Sequence, residues 1–271
     1  MRRITLCADD YGISPSVSRG IRDLIAARRI NATSVMVVAP SFDQGEADAL
    51  VATSGDAQIG LHVTLTAPFR PLTPDFRPTR SGIFLPLPTV LARASARRLD
   101  AAALHAEIGA QLGAFSERFG RMPDYVDGHQ HVQLFPQIRD AFLRAVAEHA
   151  PKAWVRQCGR ASGHRRFADR KALLLDVLSV AFRRKARRLG LTFNPAFAGT
   201  YNFGPGADFA SLFPLFLDGL PDGGLIMCHP GHVDAELQRL DPLTALRERE
   251  YDYFRSDEFA RILAAQSVSL G

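Results

Sequence analysis

Short apolar runs alternate along the chain with longer segments whose apolar residues recur every three or four positions. The runs typical of strands cover residues 4–8, 31–38, 59–64, 125–127, 153–155, 191–193 and 225–228. Segments with helical spacing cover residues 43–53, 101–119, 170–189 and 209–217. Further helices are predicted after Ser14 and from Pro136, and Ser256 is expected to cap a short last helix. This alternation predicts βαβ units and a parallel sheet rather than a β-sandwich or a helix bundle.

The number of predicted strands bears on the shape of the sheet. Seven strands separated by helices or long loops favour a closed or nearly closed barrel over an open sheet. We therefore predict an α/β fold, a distorted TIM-like (β/α) barrel. Although 271 residues could form two domains, no Gly/Ser/Pro-rich linker divides the chain into halves, and we expect residues 1–271 to form a single domain. The Pro-rich residues 66–100 predict an insertion loop, and loops of that length are usually functional.

Composition describes a globular chain with 46% hydrophobic and 23% charged residues. The three cysteines, Cys7, Cys158 and Cys228, are an odd number, and two lie in predicted buried strands, so no disulfide framework is implied. Neither a signal peptide nor an apolar run long enough to span a membrane is evident, and we predict a cytoplasmic protein. The glycines around Gly204 lack the spacing of a dinucleotide site, which argues against a nucleotide cofactor.

Basic residues crowd the segment 156–188, although the net charge of the chain is only +5. Such a cluster is typical of surfaces that meet nucleic acid, an anionic membrane or a phosphorylated ligand, but a solvated helix face is the more common explanation. The predicted helix 170–189 also carries Leu173, Val177 and Val180, so contact with a membrane surface is one interpretation, and a buried helix with a charged end is the other. We expect no nucleic-acid partner.

Side chains with metal-binding or acid–base chemistry stand at the ends of four predicted strands. They are Asp9 and Asp10 after the first strand, His62 in the third, His129 and His131 after the fourth, and His229 after the seventh. The carboxyl ends of the strands in a βα fold converge on one face, where such folds bind ligands. The sequence therefore predicts one metal-assisted active site.

The Asp9–Asp10 pair is the sharpest of these signals. Adjacent carboxylates at the end of a buried strand repel each other and need a cation or hydrogen-bond donors to compensate them. Because neighbouring side chains of a strand point to opposite sides, one aspartate can ligate a metal while the other faces the reacting water. The alternative is that one of them caps the helix that begins near Pro15.

His129 and His131 lie on the same side of an extended backbone in this interpretation, and Asp127 shares that side. A carboxylate with two imidazoles is a common ligand set for Zn²⁺ and other divalent transition ions, while Mg²⁺ prefers more oxygen ligands. We predict one divalent ion held by Asp10, His62 and His129, with Zn²⁺ favoured. Three roles are open for His131, which are a hydrogen bond to a metal ligand, service as an extra ligand, and contact with the substrate.

His229 follows a buried strand and precedes a turn, so it can project into the same opening. Its ordinary pKa near ~6.5 suits an acid or base at neutral pH. A turn histidine bonded to the backbone is the alternative. The remaining histidines, His105, His149, His164 and His232, find no partner in the pattern and are not assigned to the site.

Four motifs carry a resemblance to a known family. They are Ala8-Asp9-Asp10-Tyr11-Gly12, the segment 60–65 around His62, Asp127-Gly128-His129-Gln130-His131 followed by Phe135-Pro136, and His229-Pro230-Gly231. In order and spacing they resemble the YdjC/ChbG/HpnK family of carbohydrate deacetylases across nearly the whole chain. Tyr11 stands where the family often has Phe, which keeps an aromatic ring at that position.

The resemblance implies a TIM-like barrel that removes the acetyl group from an N-acetylated amino sugar with a divalent metal. Carried over by motif, Asp9 would be the base, and Asp10, His62 and His129 the metal ligands. The family also implies a choice of substrate, because some members act on chitooligosaccharides and a branch associated with hopanoid biosynthesis is thought to act on an N-acetylglucosaminyl lipid. A homodimer is a further expectation from the family alone.

The hypothesis of mechanism has a metal-activated water attack the acetamide, with Asp9 taking its proton and His229 protonating the departing amine. Tyr11, Asp127 and His131 are candidates for supporting or substrate contacts. A metal-dependent phosphoesterase is the alternative among enzymes, although a two-metal site would want more carboxylates near the histidines. A non-catalytic sugar-binding barrel is the third interpretation, and it leaves Asp9-Asp10 unexplained.

Overall fold

The computed structural model describes residues 1–161, 170–204 and 206–270 of the chain. Its strands are β1 (Arg2–Tyr11), β2 (Ala32–Val35), β3 (Gln58–Val63), β4 (Tyr125–Gly128), β5 (Trp154–Val155), β6 (Phe197–Ala198), β7 (Leu225–Cys228) and β8 (Val268–Leu270). They form one parallel sheet in the order β5-β4-β3-β2-β1-β7-β6, and β8 pairs with β1. The sheet curls into a half-barrel. The fold is therefore α/β and barrel-like, which confirms the predicted fold class.

Helices connect these strands and cover the outside of the sheet. They are α1 (Pro15–Ala26), α2 (Gln44–Ser54), α3 (Leu87–Ser95), α4 (Ala101–Phe119), α5 (Pro136–His149), α6 (Arg170–Arg188), α7 (Phe209–Leu217), α8 (Ala235–Leu240), α9 (Ala245–Arg255) and α10 (Asp257–Ala265). Local sequence accounts for several of their ends. The side chains of Ser14, Asp43 and Asp100 accept hydrogen bonds from the first turns of α1, α2 and α4, and Gly120 ends α4 in the left-handed conformation.

The core lies between the helices and the sheet. Helix α4 illustrates how it forms, because Leu104, Ile108, Leu112 and Phe115 recur near every fourth residue and are all buried, as the sequence predicts. Strands β2, β4, β6 and β7 are buried on both faces, and so is the carboxyl half of β1, which reads as a continuous apolar run before Asp9. One contiguous hydrophobic cluster connects all of these elements.

Residues 66–100, predicted as an insertion loop, contain regular structure at their end. Helix α3 occupies Leu87–Ser95, and its amino terminus follows Pro86. The part of this segment before α3 contacts α4 through Glu107. This fully buried carboxylate accepts hydrogen bonds from the backbone N–H groups of Leu72 and Thr73. Helix α3 itself packs against α5.

The prediction of a sixth strand at residues 191–193 is wrong, because the strand lies several positions further along the chain. The strand that pairs with β7 is Phe197–Ala198, and Phe193 makes only an isolated bridge to Val155 in β5. Two residues interrupt the ladder. The Asn194 side chain bonds both backbone groups of Gln157 in place of a strand, and Pro195 has no N–H to offer.

The chain after β7 holds elements that the pattern of the sequence did not predict. Helices α8 and α9 and strand β8 all lie beyond His229, where only a last helix after Ser256 was expected. The turn after β4 also differs from the prediction. His129–Leu134 form 3₁₀-type turns, and Gln130 and His131 have φ of 56° and 59°, so the backbone is not extended there.

None of the helices in the described part of the chain has both the length and the apolar composition needed to cross a membrane.

Candidate active site

The four strand ends named by the sequence converge on one cleft with a volume of about 390 Å³. Asp9, Asp10, His62, His129, His131 and His229 all line it. The walls are largely apolar and come from α3, α6, the turn after β4 and the loop before α9. An apolar cleft with a few convergent polar groups is the usual form of a ligand site.

The centre of the site is the cluster of Asp10, His62 and His129. Asp10 Oδ1 lies 3.0 Å from His129 Nδ1 and 3.3 Å from His62 Nε2. One ligand atom from each of the three residues lies within 4.8 Å of the others, and all three residues are buried. The strand-end pattern therefore predicted which three side chains meet.

Asp10 reaches this position through an unusual backbone conformation. Its φ is 68°, in the left-handed region, and the register of β1 against β2 shifts between Ala8 and Tyr11. Aspartate tolerates that region better than most residues. The irregularity turns the Asp10 carboxylate toward the histidines of β3 and β4 instead of leaving it in simple strand alternation with Asp9.

His62 is oriented by Asp127. Its Nδ1 lies 2.6 Å from Asp127 Oδ1 and 3.1 Å from Ser34 Oγ, so Nε2 is the nitrogen that faces Asp10. Burial alone would lower the pKa of His62, but the carboxylates of Asp127 and Asp9 raise it to about 10. A carboxylate behind a histidine in this way orients metal-binding imidazoles in many proteins.

The cluster fits a divalent metal ion on two grounds. Its donors are one carboxylate and two imidazoles, which is a usual set for Zn²⁺ and related ions. The charge also fits. The three buried carboxylates of Asp9, Asp10 and Asp127 face the guanidinium groups of Arg156 and Arg247, and the raised pKa of His62 gives the free site a third positive charge. A divalent cation can take the place of the His62 proton, because a metal that binds an imidazole displaces its proton.

Asp9 is held by Arg156, which the sequence placed in a basic segment and not in the site. The guanidinium donates to both carboxylate oxygens, at 2.6 Å and 2.7 Å, and also lies 2.5 Å from Asp127 Oδ2. Burial alone would raise the pKa of Asp9, but Arg156 and then His62 lower it well below its usual range. Asp9 is therefore an ionised carboxylate in a fixed orientation.

Asp10 has its own arginine, Arg247, at the start of α9. Arg247 Nη2 donates to Asp10 Oδ2 at 2.6 Å and to Asp241 Oδ2 at 2.8 Å. Burial would raise the pKa of Asp10, and Arg247 and His129 lower it instead. Neither aspartate caps α1, because Ser14 does so, and the alternative of a simple helix cap is wrong.

His229 lies half-buried at the end of β7, against the edge of the Phe203 ring. Its backbone N–H donates to Glu250 Oε2 at 2.5 Å, and Glu250 Oε1 accepts from the Tyr201 hydroxyl at 2.6 Å. Nδ1 of the imidazole is buried and has no hydrogen-bond partner among the described residues. Burial lowers the pKa of His229 to about 4, with Asp10 acting against that and Arg247 adding to it.

His131 and Tyr11 stand apart from the cluster. The turn at His131 carries its ring toward Phe197, with ring centroids 5.6 Å apart, and Nδ1 lies 3.6 Å from Cys158 Sγ. The Tyr11 hydroxyl donates to Glu46 and accepts from Arg22, so it braces α1 against α2 and does not face the cleft. The prediction that His131 shares one extended face with His129 is wrong because the backbone turns between them.

Three site residues were missed by the sequence reasoning. Arg156, Arg247 and Glu250 are fully buried and act on Asp9, Asp10 and His229 through long-range contacts. Arg156 carried a usable signal, because it directly follows the strand β5 just as the other site residues follow theirs. Arg247 and Glu250 lie on α9, which was not predicted.

The four histidines left out of the site have other surroundings. His105 and His149 meet at the surface around Glu148, whose carboxylate lies 3.1 Å from His105 Nε2. His232 packs on the ring of Tyr251. His164, Arg165 and Arg166 lie outside the described residues.

Comparison with known proteins relates this site to a family. Residues 3–265 match the model of the YdjC-like protein family. A chitooligosaccharide deacetylase from Citrobacter koseri is 27% identical over 275 aligned positions that cover 100% of this chain and 97% of that protein. A human carbohydrate deacetylase is 31% identical over 149 positions, and the match covers 53% of this chain but only 45% of the human protein.

Solved structures share the fold. A protein from Enterococcus faecalis named for cellobiose-phosphate cleavage superposes with a TM-score of 0.78, at 20% identity, over 100% of this chain and 97% of that one. A lactam utilization protein from Thermus thermophilus superposes with a TM-score of 0.55 at 15% identity, over 99% and 98% of the two chains. Because the family model spans nearly the whole sequence and includes every strand-end residue of the site, the chain belongs to the YdjC-like family.

Proposed function

We propose that this protein is a metal-dependent hydrolase that removes the acetyl group from an N-acetylated amino sugar and releases acetate. The observation that carries the proposal is the convergence of Asp10, His62 and His129 beside Asp9 and His229 in one cleft. The names of the curated relatives, carbohydrate deacetylase and chitooligosaccharide deacetylase, support the substrate class.

A divalent ion held by Asp10, His62 and His129, with Zn²⁺ favoured over Mg²⁺ by the two imidazoles, would supply Lewis acidity toward water and the amide carbonyl. Asp9 then accepts the proton of the attacking water on a carboxylate oxygen. Arg156 keeps both oxygens of Asp9 in a fixed orientation, and Asp127 keeps Nε2 of His62 directed at Asp10. The rigid support lowers the cost of arranging these groups during the reaction.

His229 gives a proton to the departing nitrogen in this scheme, so that the C–N bond breaks to leave acetate and a free amine. With a pKa of about 4 the imidazole is neutral near pH 7 in the free site. His229 therefore receives its proton within the reaction, from the attacking water by way of Asp9, before passing it on. The alternative assignment has neutral His229 take the water proton itself and return it to the amine.

Two substrates are consistent with the site. A chitooligosaccharide is favoured by the relative from Citrobacter koseri that covers the whole chain, and an N-acetylglucosaminyl lipid, such as a hopanoid intermediate, is favoured by the apolar walls of the cleft. The cytoplasmic location, the homodimer and a membrane contact through residues 170–189 remain predictions from the sequence and the family.

The experiment that tests the proposal measures acetate release from N-acetylglucosamine oligomers and from an N-acetylglucosaminyl lipid. The protein is first stripped of metal with a chelator, and single divalent ions are then restored. We expect no release from the stripped protein and recovery with Zn²⁺ or another transition ion. Absence of release from both substrates, with metal demonstrably bound, would reject the deacetylase and turn attention to phosphoesters.

A further inference from the structure

The outward face of α6 is apolar although nothing in the described part of the chain covers it. Leu173, Leu174, Val177 and Val180 have exposed fractions of 48%, 48%, 68% and 55%. They recur at helical spacing on one side, while Phe182 and Ala186 face the core. Single exposed aliphatic residues are ordinary, but a continuous stripe of this kind marks an interaction surface. These four residues are called the α6 stripe below.

The same face of α6 becomes basic toward its carboxyl end. Arg184 and Arg188 follow Val180 at intervals of four residues and therefore continue the stripe. With Arg139 and Lys185 they line a groove between α5 and α6. Among the described residues Asp140 is the one carboxylate that lines this groove, and it pairs with Arg139 at 3.1 Å and with Lys185 at 2.8 Å. The groove keeps a net positive charge.

The α6 stripe reaches the candidate active site. Leu174 belongs to the stripe and also lines the cleft, beside Leu87 and Leu91 of α3. A surface that contacts the stripe therefore lies against the mouth of the cleft, and the apolar lining of the cleft continues outward into the stripe.

We infer that α6 docks on an anionic lipid bilayer, with the α6 stripe in the boundary between headgroups and acyl chains and Arg184, Lys185 and Arg188 on the lipid phosphates. The residue types support a bilayer over a protein partner. Arginine occurs at both kinds of surface, but protein interfaces are enriched in aromatic residues and depleted of lysine, whereas this face carries leucine and valine and includes Lys185.

Docking in this orientation opens the cleft toward the bilayer surface. In this orientation the accessible substrate is an amino sugar displayed on a membrane lipid. That consequence of docking for substrate choice rests on the proposed function. The docking itself rests only on α6 and stands or falls separately from the deacetylase chemistry.

The test is co-sedimentation of the full chain with large vesicles of phosphatidylcholine, either alone or with about one third phosphatidylglycerol. We expect binding to the anionic vesicles that weakens with added salt. Replacing Arg184 and Arg188 by glutamine should weaken binding about 30-fold, since each basic residue near such a surface contributes about fivefold. The double variant V177Q/V180Q should also lose binding.

Matched control variants are Val51→Gln on α2 and Arg19→Gln on α1, which are exposed on helices that line neither the cleft nor the groove and should bind as the unaltered protein does. Acetate release from soluble oligomers should be unchanged in the α6 variants, and release from the vesicle-borne lipid should fall. That pair of readouts separates loss of docking from loss of folding.

Three outcomes would overturn the inference. They are no binding to anionic vesicles, binding that the α6 variants leave intact, and a dimer in sedimentation velocity that V177Q/V180Q dissociates without any vesicle binding, which would assign the stripe to a second copy of the chain. Vesicle binding without acetate release from any substrate would keep the docking and reject the proposed function.

Discussion

Each aspartate at the end of β1 is held by its own buried arginine. Asp9 meets Arg156, and Asp10 meets Arg247. Removing one member of such a pair leaves the other charge buried without compensation, which typically costs about 3–5 kcal/mol. The pairing explains how two adjacent carboxylates persist in a buried strand, and it restricts each of them to one orientation.

Replacement of Asp9 by asparagine tests the base. Asp9→Asn keeps the shape of the side chain but removes the proposed proton acceptor, so kcat should fall by about 10²–10⁴-fold. The measurement is acetate release, with bound metal determined on the same sample. Asp48→Asn on the exposed face of α2 is the control and should leave turnover unchanged. Near-normal turnover of Asp9→Asn with metal still bound would transfer the role of base to His229.

Glu250 makes stability depend on pH. Burial raises its pKa to about 7, although hydrogen bonds from Tyr201 and the backbone of His229 oppose the rise. In the unfolded chain Glu250 ionises near the ordinary glutamate pKa of 4.5, so between pH 4.5 and pH 7 the folded protein holds the proton more tightly than the unfolded chain does. The contribution of Glu250 to stability therefore falls as pH rises from about 4.5 to 7, and stays constant above that.

The variant Glu250→Gln removes this titration. The free energy of unfolding of the unaltered protein, minus that of the variant, should decrease by up to about 3 kcal/mol between pH 5 and pH 8. Urea unfolding at several pH values measures it. A difference that does not change with pH would mean that Glu250 has an ordinary pKa in the folded protein.

At the scale of single residues, the sequence could identify the side chains that stand at strand ends but not those that support them. Asp10, His62 and His129 follow from strand position and residue type. Arg247 and Glu250 contact the site from a helix far along the chain, and no local pattern encodes a contact of that kind.

Elements were predictable in proportion to their length and regularity. Helix α4 has 19 residues with a capping aspartate, a periodic apolar face and a terminal glycine, and its bounds follow from the sequence. Strand β6 has two residues, too few for any period, and its position depends on pairing with β7. Helix α8 is capped by Asp234 but has six residues, too few to show a helical period, and the side chain of Thr244 makes no capping hydrogen bond to α9. The chain at Gln130–His131 turns where alternation predicts a strand.

Two glycines should respond oppositely to replacement by alanine. Gly199, just after β6, has φ of 98°, and a Cβ there would lie 2.1 Å from the carbonyl oxygen of Met227 in β7. Gly199→Ala should therefore lower the free energy of unfolding by more than about 2 kcal/mol. Gly113, on the exposed side of α4, has nothing near its Cβ position, and Gly113→Ala should raise stability by about 0.5–1 kcal/mol.

Urea unfolding of both variants gives the comparison, and each serves as the control for the other. Equal stability of Gly199→Ala and the unaltered protein would mean that the loop after β6 does not pack on β7 as described.

Metal binding should raise the free energy of unfolding and the Tm of the entire folded chain. An ion that binds only the folded chain, at about 100 times its dissociation constant, adds about 2.7 kcal/mol. In a protein of this size that raises Tm by roughly 5–10 °C. His129→Gln removes one of the three proposed ligands and should reduce the rise in Tm produced by Zn²⁺, independently of any catalysis.

His105→Gln is the control, because the surface group of His105, Glu148 and His149 is a second set of residues that Zn²⁺ can meet. Scanning calorimetry with and without Zn²⁺ makes the measurement. A rise in Tm that His105→Gln abolishes and His129→Gln leaves intact would place the stabilising ion at the surface and not in the cleft.

The central position of β1 has a consequence for how the protein is made. Its neighbours are β2, which follows soon after it, and β7 and β8, which come near the other end of the chain. At about 5–20 residues per second, a ribosome needs roughly 10–40 s to reach Leu225 after it has added Tyr11. During that interval the edge of β1 that later pairs with β7 has no partner strand, and it is open to pairing with other chains until β7 has been made.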